Sequence, residues 1–233
     1  VAGDSLRSEV VDIEQTSDAT YVTLRPYDNV TPEHSNMYRT ADDGLTWTTV
    51  MQTPNEHVVS LGIRGDTLFT TAGFERTMQR STDEGATWET LGSGPFGTIR
   101  DHFFTDSIYY VGTDDGLYVS SDNGYTWTKR GGGINNADFG AILLKDSILY
   151  VGTRFNGVHY STDYGRRWKP ASSTLGGGFC GDIIIVDSML VVASAKGIWT
   201  TTDKGLTWQN RNDGLEGVGS LTILVIDDQL LSG

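Results

Sequence analysis

Apolar positions along this chain come in short runs that alternate with polar ones and stop at Gly, Asp or Asn. The stretch from 141 to 169 is representative. Ala141-Ile-Leu-Leu144 reads as a first strand and Ser147-Ile-Leu-Tyr-Val-Gly152 as a second. Gly157-Val-His-Tyr-Ser161 reads as a third and Arg167-Trp-Lys169 as a fourth. Lys145-Asp146 supplies the turn between the first two, and Arg154-Phe-Asn-Gly157 the loop between the second and third. Such runs, β-branched or aromatic and bounded by turn formers, predict short antiparallel strands. No segment carries the 3.6-residue periodicity of an amphipathic helix.

This four-strand pattern recurs. Five segments share the form [ST]-x-D-x-G-x-[TR]-W: Thr40 to Trp47, Ser81 to Trp88, Ser120 to Trp127, Ser161 to Trp168 and Thr201 to Trp208. Successive Trp residues are 41, 39, 41 and 40 positions apart. A period near 40 residues is that of one four-stranded propeller blade. The fold class predicted is therefore all-β: a β-propeller with five complete blades at approximately 11–50, 51–91, 92–130, 131–171 and 172–211. A partial blade follows at 212–233, where Leu221-Thr-Ile-Leu-Val-Ile226 and Gln229-Leu-Leu-Ser-Gly233 read as its first two strands. The whole chain is expected to be one propeller domain, cut from a ring of six to eight blades, with an open edge of unpaired strands.

Each repeated segment fits a hairpin between the third and fourth strands of its blade. Asp42, Asp83, Asp122, Asp163 and Asp203 are expected to accept backbone N–H bonds in the turn. Gly44, Gly85, Gly124, Gly165 and Gly205 are expected to supply a positive φ. The Ser or Thr opening each segment can add a local hydrogen bond. Trp47, Trp88, Trp127, Trp168 and Trp208 are expected to be largely buried, wedged against the neighbouring blade. Trp199 lies on a third strand instead. Arg167 replaces Thr in the fourth copy, so one polar contact should differ there.

These residues resemble the BNR/Asp-box repeat family, and with its flanking strands the resemblance covers nearly the whole chain. Relatives with this box include sialidases, xyloglucan-cleaving glycosidases, sortilin-type receptors, photosystem II assembly factors and secreted bacterial propellers. The resemblance implies a propeller. It selects no function, because the box is a scaffold feature and function sits in the loops.

Charge narrows the partners. The 233 residues carry a net charge of −13, which argues against nucleic acid, since phosphate binding needs a Lys/Arg footprint. No run approaches the roughly 18 apolar residues of a membrane helix, so no direct membrane insertion is expected. The lone Cys180 permits no intrachain disulfide and has no neighbouring base, which reads as a small packed thiol. The box lacks the alternating oxygen ligands and terminal Glu of a calcium loop, so no metal and no cofactor are expected. The acidic, Gly-rich, Cys-poor composition resembles that of secreted bacterial propellers, which implies an extracellular, cell-surface or periplasmic location. Oligomeric state is not legible.

In a propeller, the loops between second and third strands and the blade-to-blade connections share the face opposite the boxes. That face should carry Arg25, Tyr27, Asp28, Glu33 and His34 from blade one, with Phe74, Glu75 and Arg76 from blade two. Blade three adds Asp114 and Asp115, blade four Arg154, Phe155 and Asn156, and blade five Lys196. The connections add Phe96, Arg100, Asp101, His102, Asn135, Asn136, Asp138 and Phe179. Arg25, Tyr27, Arg76, Asp114, Arg154 and Phe155 are the first ligand-binding candidates, since Arg and aromatic groups suit a protein or glycan partner. A sialidase-like hydrolase, the enzyme alternative, would need an Arg triad, for which Arg25, Arg76 and Arg154 are similarly placed. It would also need a Tyr/Glu nucleophile pair, which the sequence does not supply. A two-carboxylate glycosidase would draw on Asp101, Asp114 and Asp138. The four histidines have no recognisable partner in sequence, and no catalytic residue is assigned. The expected function is non-enzymatic binding or scaffolding, with a purely structural module of a larger surface protein as the third reading.

Overall fold

The computed structural model describes residues 8–26, 35–53, 60–72, 77–92, 97–134, 138–171, 178–213, 223–226 and 229–232. Every regular element among them is a strand, and five four-stranded antiparallel sheets are formed, each in the order of its strands along the chain. Blade one contains β1 (Ser8–Gln15), β2 (Thr20–Pro26), β3 (Ser35–Thr40) and β4 (Thr48–Thr53). Blade two contains β5 (Ser60–Arg64), β6 (Thr67–Ala72), β7 (Thr77–Ser81) and β8 (Glu89–Thr90). Blade three contains β9 (Ile99–Phe104), β10 (Tyr109–Thr113), β11 (Leu117–Ser120) and β12 (Thr128–Arg130). Blade four contains β13 (Phe139–Lys145), β14 (Ile148–Thr153), β15 (Gly157–Ser161) and β16 (Lys169–Pro170). Blade five contains β17 (Cys180–Val186), β18 (Met189–Ser194), β19 (Gly197–Thr201) and β20 (Gln209–Asn210). A two-stranded hairpin follows, β21 (Ile223–Ile226) and β22 (Gln229–Ser232).

The strands fall into two compact units. One holds the sheets of blades one and two with Phe104–Tyr109 and Ser120–Trp127. The other holds Ile99–Phe103, Tyr110–Val119, Thr128–Arg130 and the sheets from β13 onward. Within each, the core lies between the facing surfaces of consecutive sheets. In the first unit, Tyr21, Met37 and Met51 of blade one pack with Leu61 and Leu68 of blade two. In the second, Ala141, Tyr150 and Val158 of blade four pack with Cys180, Ile183, Val192 and Trp208 of blade five. The inner strands are buried on both faces, as in β10, β11 and β14, and stacking of consecutive sheets is the way to bury both.

The box hairpins have one geometry. In the third copy, Thr126 N–H and Ser120 Oγ–H both donate to Asp122 Oδ1, at 2.9 and 2.8 Å, and Thr126 Oγ1–H donates to Asp122 Oδ2 at 2.6 Å. Gly124 N–H donates back to Ser120 Oγ at 2.9 Å. Gly124 has φ 88°, and Asn123 before it also lies in the left-handed region, at φ 60°. The other four boxes repeat this pair, with Asp43, Glu84, Tyr164 and Lys204 at φ 55–62°. In the fourth copy the Thr hydroxyl bond is replaced by an ion pair from Arg167 Nε to Asp163 Oδ2 at 3.6 Å, while Arg167 N–H still donates to Oδ1.

The second to fifth boxes pack against the preceding blade. A side chain at Gly124 would meet Leu91 and Met78 of blade two, and one at Gly205 would meet Ala171 of blade four. This explains how the Trp residues depart from expectation. Trp208 is buried, Trp88, Trp127 and Trp168 are half-buried, but Trp47 is 44 % exposed. Among the described residues, no earlier blade stands against the first box, and Gly44 has only its own Trp47 nearby.

A second link between consecutive blades was not anticipated. Asp12 Oδ2 accepts from Leu61 N–H at 3.1 Å, Asp101 Oδ2 from Ile142 N–H at 2.6 Å, and Asp182 Oδ2 from Ile223 N–H at 3.1 Å. Each Asp lies on the first strand of its blade and braces the first strand of the next. The matching residues of blades two and four are Ser60 and Ala141, paired with Thr71 and Gly152 as Asp12 is with Thr23.

Candidate functional site

An antiparallel sheet ordered along the chain puts its first and third turns at one end and its second turn at the other. The boxes thus occupy one end of each sheet, and the second turn, with the connection to the next blade, the other. That second turn is locked by a hydroxyl at the end of its second strand. Thr113 Oγ1 accepts from Asp115 and Gly116 N–H and donates to Gly116 C=O at 2.9 Å. Thr153 accepts from Asn156 N–H and donates to Gly157 C=O. Ser194 does the same with Lys196 N–H and Gly197 C=O. Sequence reading missed this motif, a Ser or Thr closing a strand three or four residues before Gly. The turns between are short, so the side chains they carry are held in place.

In blade four this turn presents Arg154 and Phe155. Arg154 N–H donates to Asp138 C=O at 2.9 Å, tying the turn to the residue just before β13. The Arg154 guanidinium lies 5.6 Å from the centre of the Phe155 ring, which is 61 % exposed. The Asp138 side chain is 12 % exposed and takes Arg100 Nε at 3.1 Å and Nη2 at 3.5 Å. Arg154 Nη1 stands 3.7 Å from Asp138 Oδ2, the oxygen that also takes Arg100 Nη2. Two guanidinium groups therefore share one carboxylate beside an exposed aromatic ring, leaving a local excess of positive charge on an acidic protein. The exposed half of this cluster contributes little to stability, and its geometry suits contact with a ligand.

The other candidates separate. Asp114 and Asp115 lie in the second turn of blade three. Asp115 accepts Tyr118 O–H at 2.5 Å and pairs with Lys129 Nζ at 2.8 Å, and these bonds, Lys129 foremost, hold its carboxyl below the usual range. This Tyr–carboxylate contact was not foreseen; Tyr118 is 4 % exposed and belongs to the core. Lys196 lies in the second turn of blade five. Arg100, Asp101 and His102, expected in a connection, belong to β9. Asp101 is a brace between strands rather than a free acid, since its oxygens accept His102 and Ile142 N–H. Burial pushes His102 down to about 4, so the ring is neutral. His159, on β15, is likewise shifted downward by burial. Cys180 is buried at the start of β17, and burial pushes its thiol up, far from a nucleophile's range.

Arg25 is in β2, but its side chain lies outside the described residues, as do Tyr27, Asp28, Glu33, His34, Phe74, Glu75, Arg76, Phe96, Asn135 and Asn136. Among the described residues, no helix is long and apolar enough to cross a membrane.

Comparison with known proteins bears on this arrangement. The family profile of the BNR/Asp-box repeat matches residues 118–129, the third hairpin. No curated protein sequence matches significantly. Among solved structures, "YCF48 bound to D1 peptide" is similar with a TM-score of 0.72 and 15 % identity, over 98 % of this chain and 76 % of that one. YCF48 from Cyanidioschyzon merolae gives 0.73 at 15 % identity, over 97 % and 77 %. The GH74 enzyme of Niastella koreensis gives 0.55 at 17 % identity, over 87 % of this chain but only 37 % of that enzyme. At these identities the likeness establishes the fold.

Proposed function

We propose that this chain, a β-propeller whose third hairpin matches the BNR/Asp-box repeat, is a non-enzymatic binding or scaffolding module. Its partner would be a protein segment or a glycan, held on the face opposite the boxes. The observation that carries this reading is the braced turn of blade four, where Phe155 is exposed beside Arg154 and the Arg100–Asp138 pair. A fixed aromatic plate next to a fixed guanidinium loses little conformational entropy on binding, which is what an anchor residue requires. The fold's likeness to YCF48 bound to D1 peptide favours a protein segment. The box residues, occupied with their own turns, take no part. Arg25, Tyr27, Arg76 and Asp114 remain second-rank candidates, and we place the protein outside the cytoplasm.

The test is capture of partners by the complete protein from its native extract, paired with hydrolysis assays on fluorogenic sialosides and β-glucans. Capture lost in Arg154→Ala and Phe155→Ala, with unchanged melting and no turnover by the parent, supports binding. Turnover that disappears in Arg76→Ala or Asp114→Ala overturns it in favour of a glycosidase. Capture that survives both blade-four substitutions overturns the assignment of the anchor. Accessibility of the protein to protease added to intact cells checks its location.

A further inference from the structure

At or near the end of the fourth strand, one residue pairs with the third-strand residue on the face turned to the next blade. By register these are Met51, Leu91, Arg130 and Ala171 in the first four blades: Met37 pairs with Met51 and Leu117 with Arg130, while Leu91 and Ala171 donate N–H to Met78 and Val158. Leu91 and Ala171 lie against Gly124 and Gly205 of the next box. Arg130, half-buried, puts the Nε and Nη1 side of a guanidinium in this apolar seam. Its Nε and Nη1 are buried and have no hydrogen-bond partner. Among the described residues, no carboxylate lies within ion-pair distance of Arg130.

Tyr110 shares that face. Its counterpart in blade four, Tyr150, donates its hydroxyl to Lys204 C=O in the next box at 3.2 Å. Tyr110 should by analogy reach Tyr164, the residue matching Lys204 in the box of blade four. It does not make that bond: the side chain is fully buried at 0 % exposure and its hydroxyl has no partner. Gly131 N–H donates to Gly165 C=O at 3.4 Å, which fixes the end of β12 beside the same box. Three buried donors, two of them on a cation, thus turn to one seam and find no acceptor among the described residues. Leaving such buried donors unpaired is strongly unfavourable.

We propose that Arg130 and Tyr110 form a buried site for a halide-sized inorganic anion, between blade three and the box of blade four. Burial pushes the Tyr110 phenol up to about 12, with Tyr164 adding to the rise and Arg130 opposing it, so it stays an O–H donor at neutral pH. A ligand bound only by the folded state raises its stability with concentration. The Tm of the parent should therefore climb with sodium chloride or bromide, beyond sodium gluconate at equal ionic strength. Arg130→Leu, which installs the residue of blade two, should lose this difference and be no less stable in gluconate. Tyr110→Phe should retain the halide response but shift it to higher concentration. Equal Tm in chloride and gluconate overturns the proposal in favour of a buried water. A halide response that persists in Arg130→Leu overturns it too, by placing the anion elsewhere. Should Arg130→Leu fail to fold, anomalous scattering from bromide-soaked crystals decides: a peak beside Arg130 supports the site, and none there refutes it.

Discussion

At the residue scale, the box is a set of side chains that finish a turn the backbone could not hold alone. Two consecutive left-handed residues are costly for any L residue but Gly, by about 1–2 kcal/mol for an ordinary side chain. The paired positives at Lys204 and Gly205 persist because Asp203 and Thr201 fasten the loop. Lys204→Asn should stabilise the protein by about 0.5 kcal/mol, since Asn tolerates this conformation; chemical denaturation would check it. Replacing the box Trp should not be uniform. Trp208→Ala is expected to cost roughly 3–5 kcal/mol, as for other buried aromatics, and Trp47→Ala far less. Equal losses would show that the first box is covered by something beyond the described strands. The Asp, Gly and Trp roles were legible because one spacing recurs five times. The exposure of Trp47 was not, because burial depends on a neighbouring blade that no local motif encodes.

At the scale of the element, first strands carry the less obvious information. Asp101 read as a connection residue, since an Asp–His pair looks polar and irregular, yet it sits in β9 and holds two backbone N–H groups. Asp101→Ala should cost about 1–3 kcal/mol by stranding those donors, and Asp101→Asn clearly less. Amide exchange at Ile142 should quicken in both. Strand order and turn placement were accessible from alternation and Gly/Asp punctuation. The braces were not, because each joins residues 41 to 49 positions apart and only alternate blades have one. Opening should accordingly begin at an unbraced junction, and Leu61, Ile142 and Ile223 amides should be among the slowest to exchange. The blade-four site was legible in part: Arg154 and Phe155 stand out in a loop, whereas Asp138 and Arg100 come together only through the sheet.

For the whole molecule, two families of carboxylates pull stability in opposite directions with pH. Burial raises Glu14 to about 7, with the neighbouring Asp12 charge adding to the effect, and burial raises Asp12 as well. A group raised on folding favours the folded state when protonated, so this contribution is complete below about 4.5 and lost as pH climbs through about 7. Asp42, Asp83 and Asp203 are held at about 2, chiefly by the hydroxyls of Thr46, Thr87 and Thr207. Their contribution is present above the ordinary carboxylate range and lost as pH falls toward 2. The melting temperature should therefore peak between about 4 and 5, not at neutrality. Glu14→Gln should flatten the decline above that peak. A maximum at pH 7 would contradict this assignment.

The turns opposite the boxes have a consequence for how such a protein changes over time. Thr113, Thr153 and Ser194 each close their turn with the Gly at or just before the start of the next strand, whatever lies between. What lies between differs freely: two acids in blade three, Arg-Phe-Asn in blade four, Ala-Lys in blade five. Fastening and content are thus separate variables. New specificity can be written one blade at a time, by duplication or by grafting, without renegotiating the scaffold. Exchanging Arg154-Phe-Asn156 for Asp114-Asp115 should leave melting nearly unchanged while reversing the charge that blade offers to a partner.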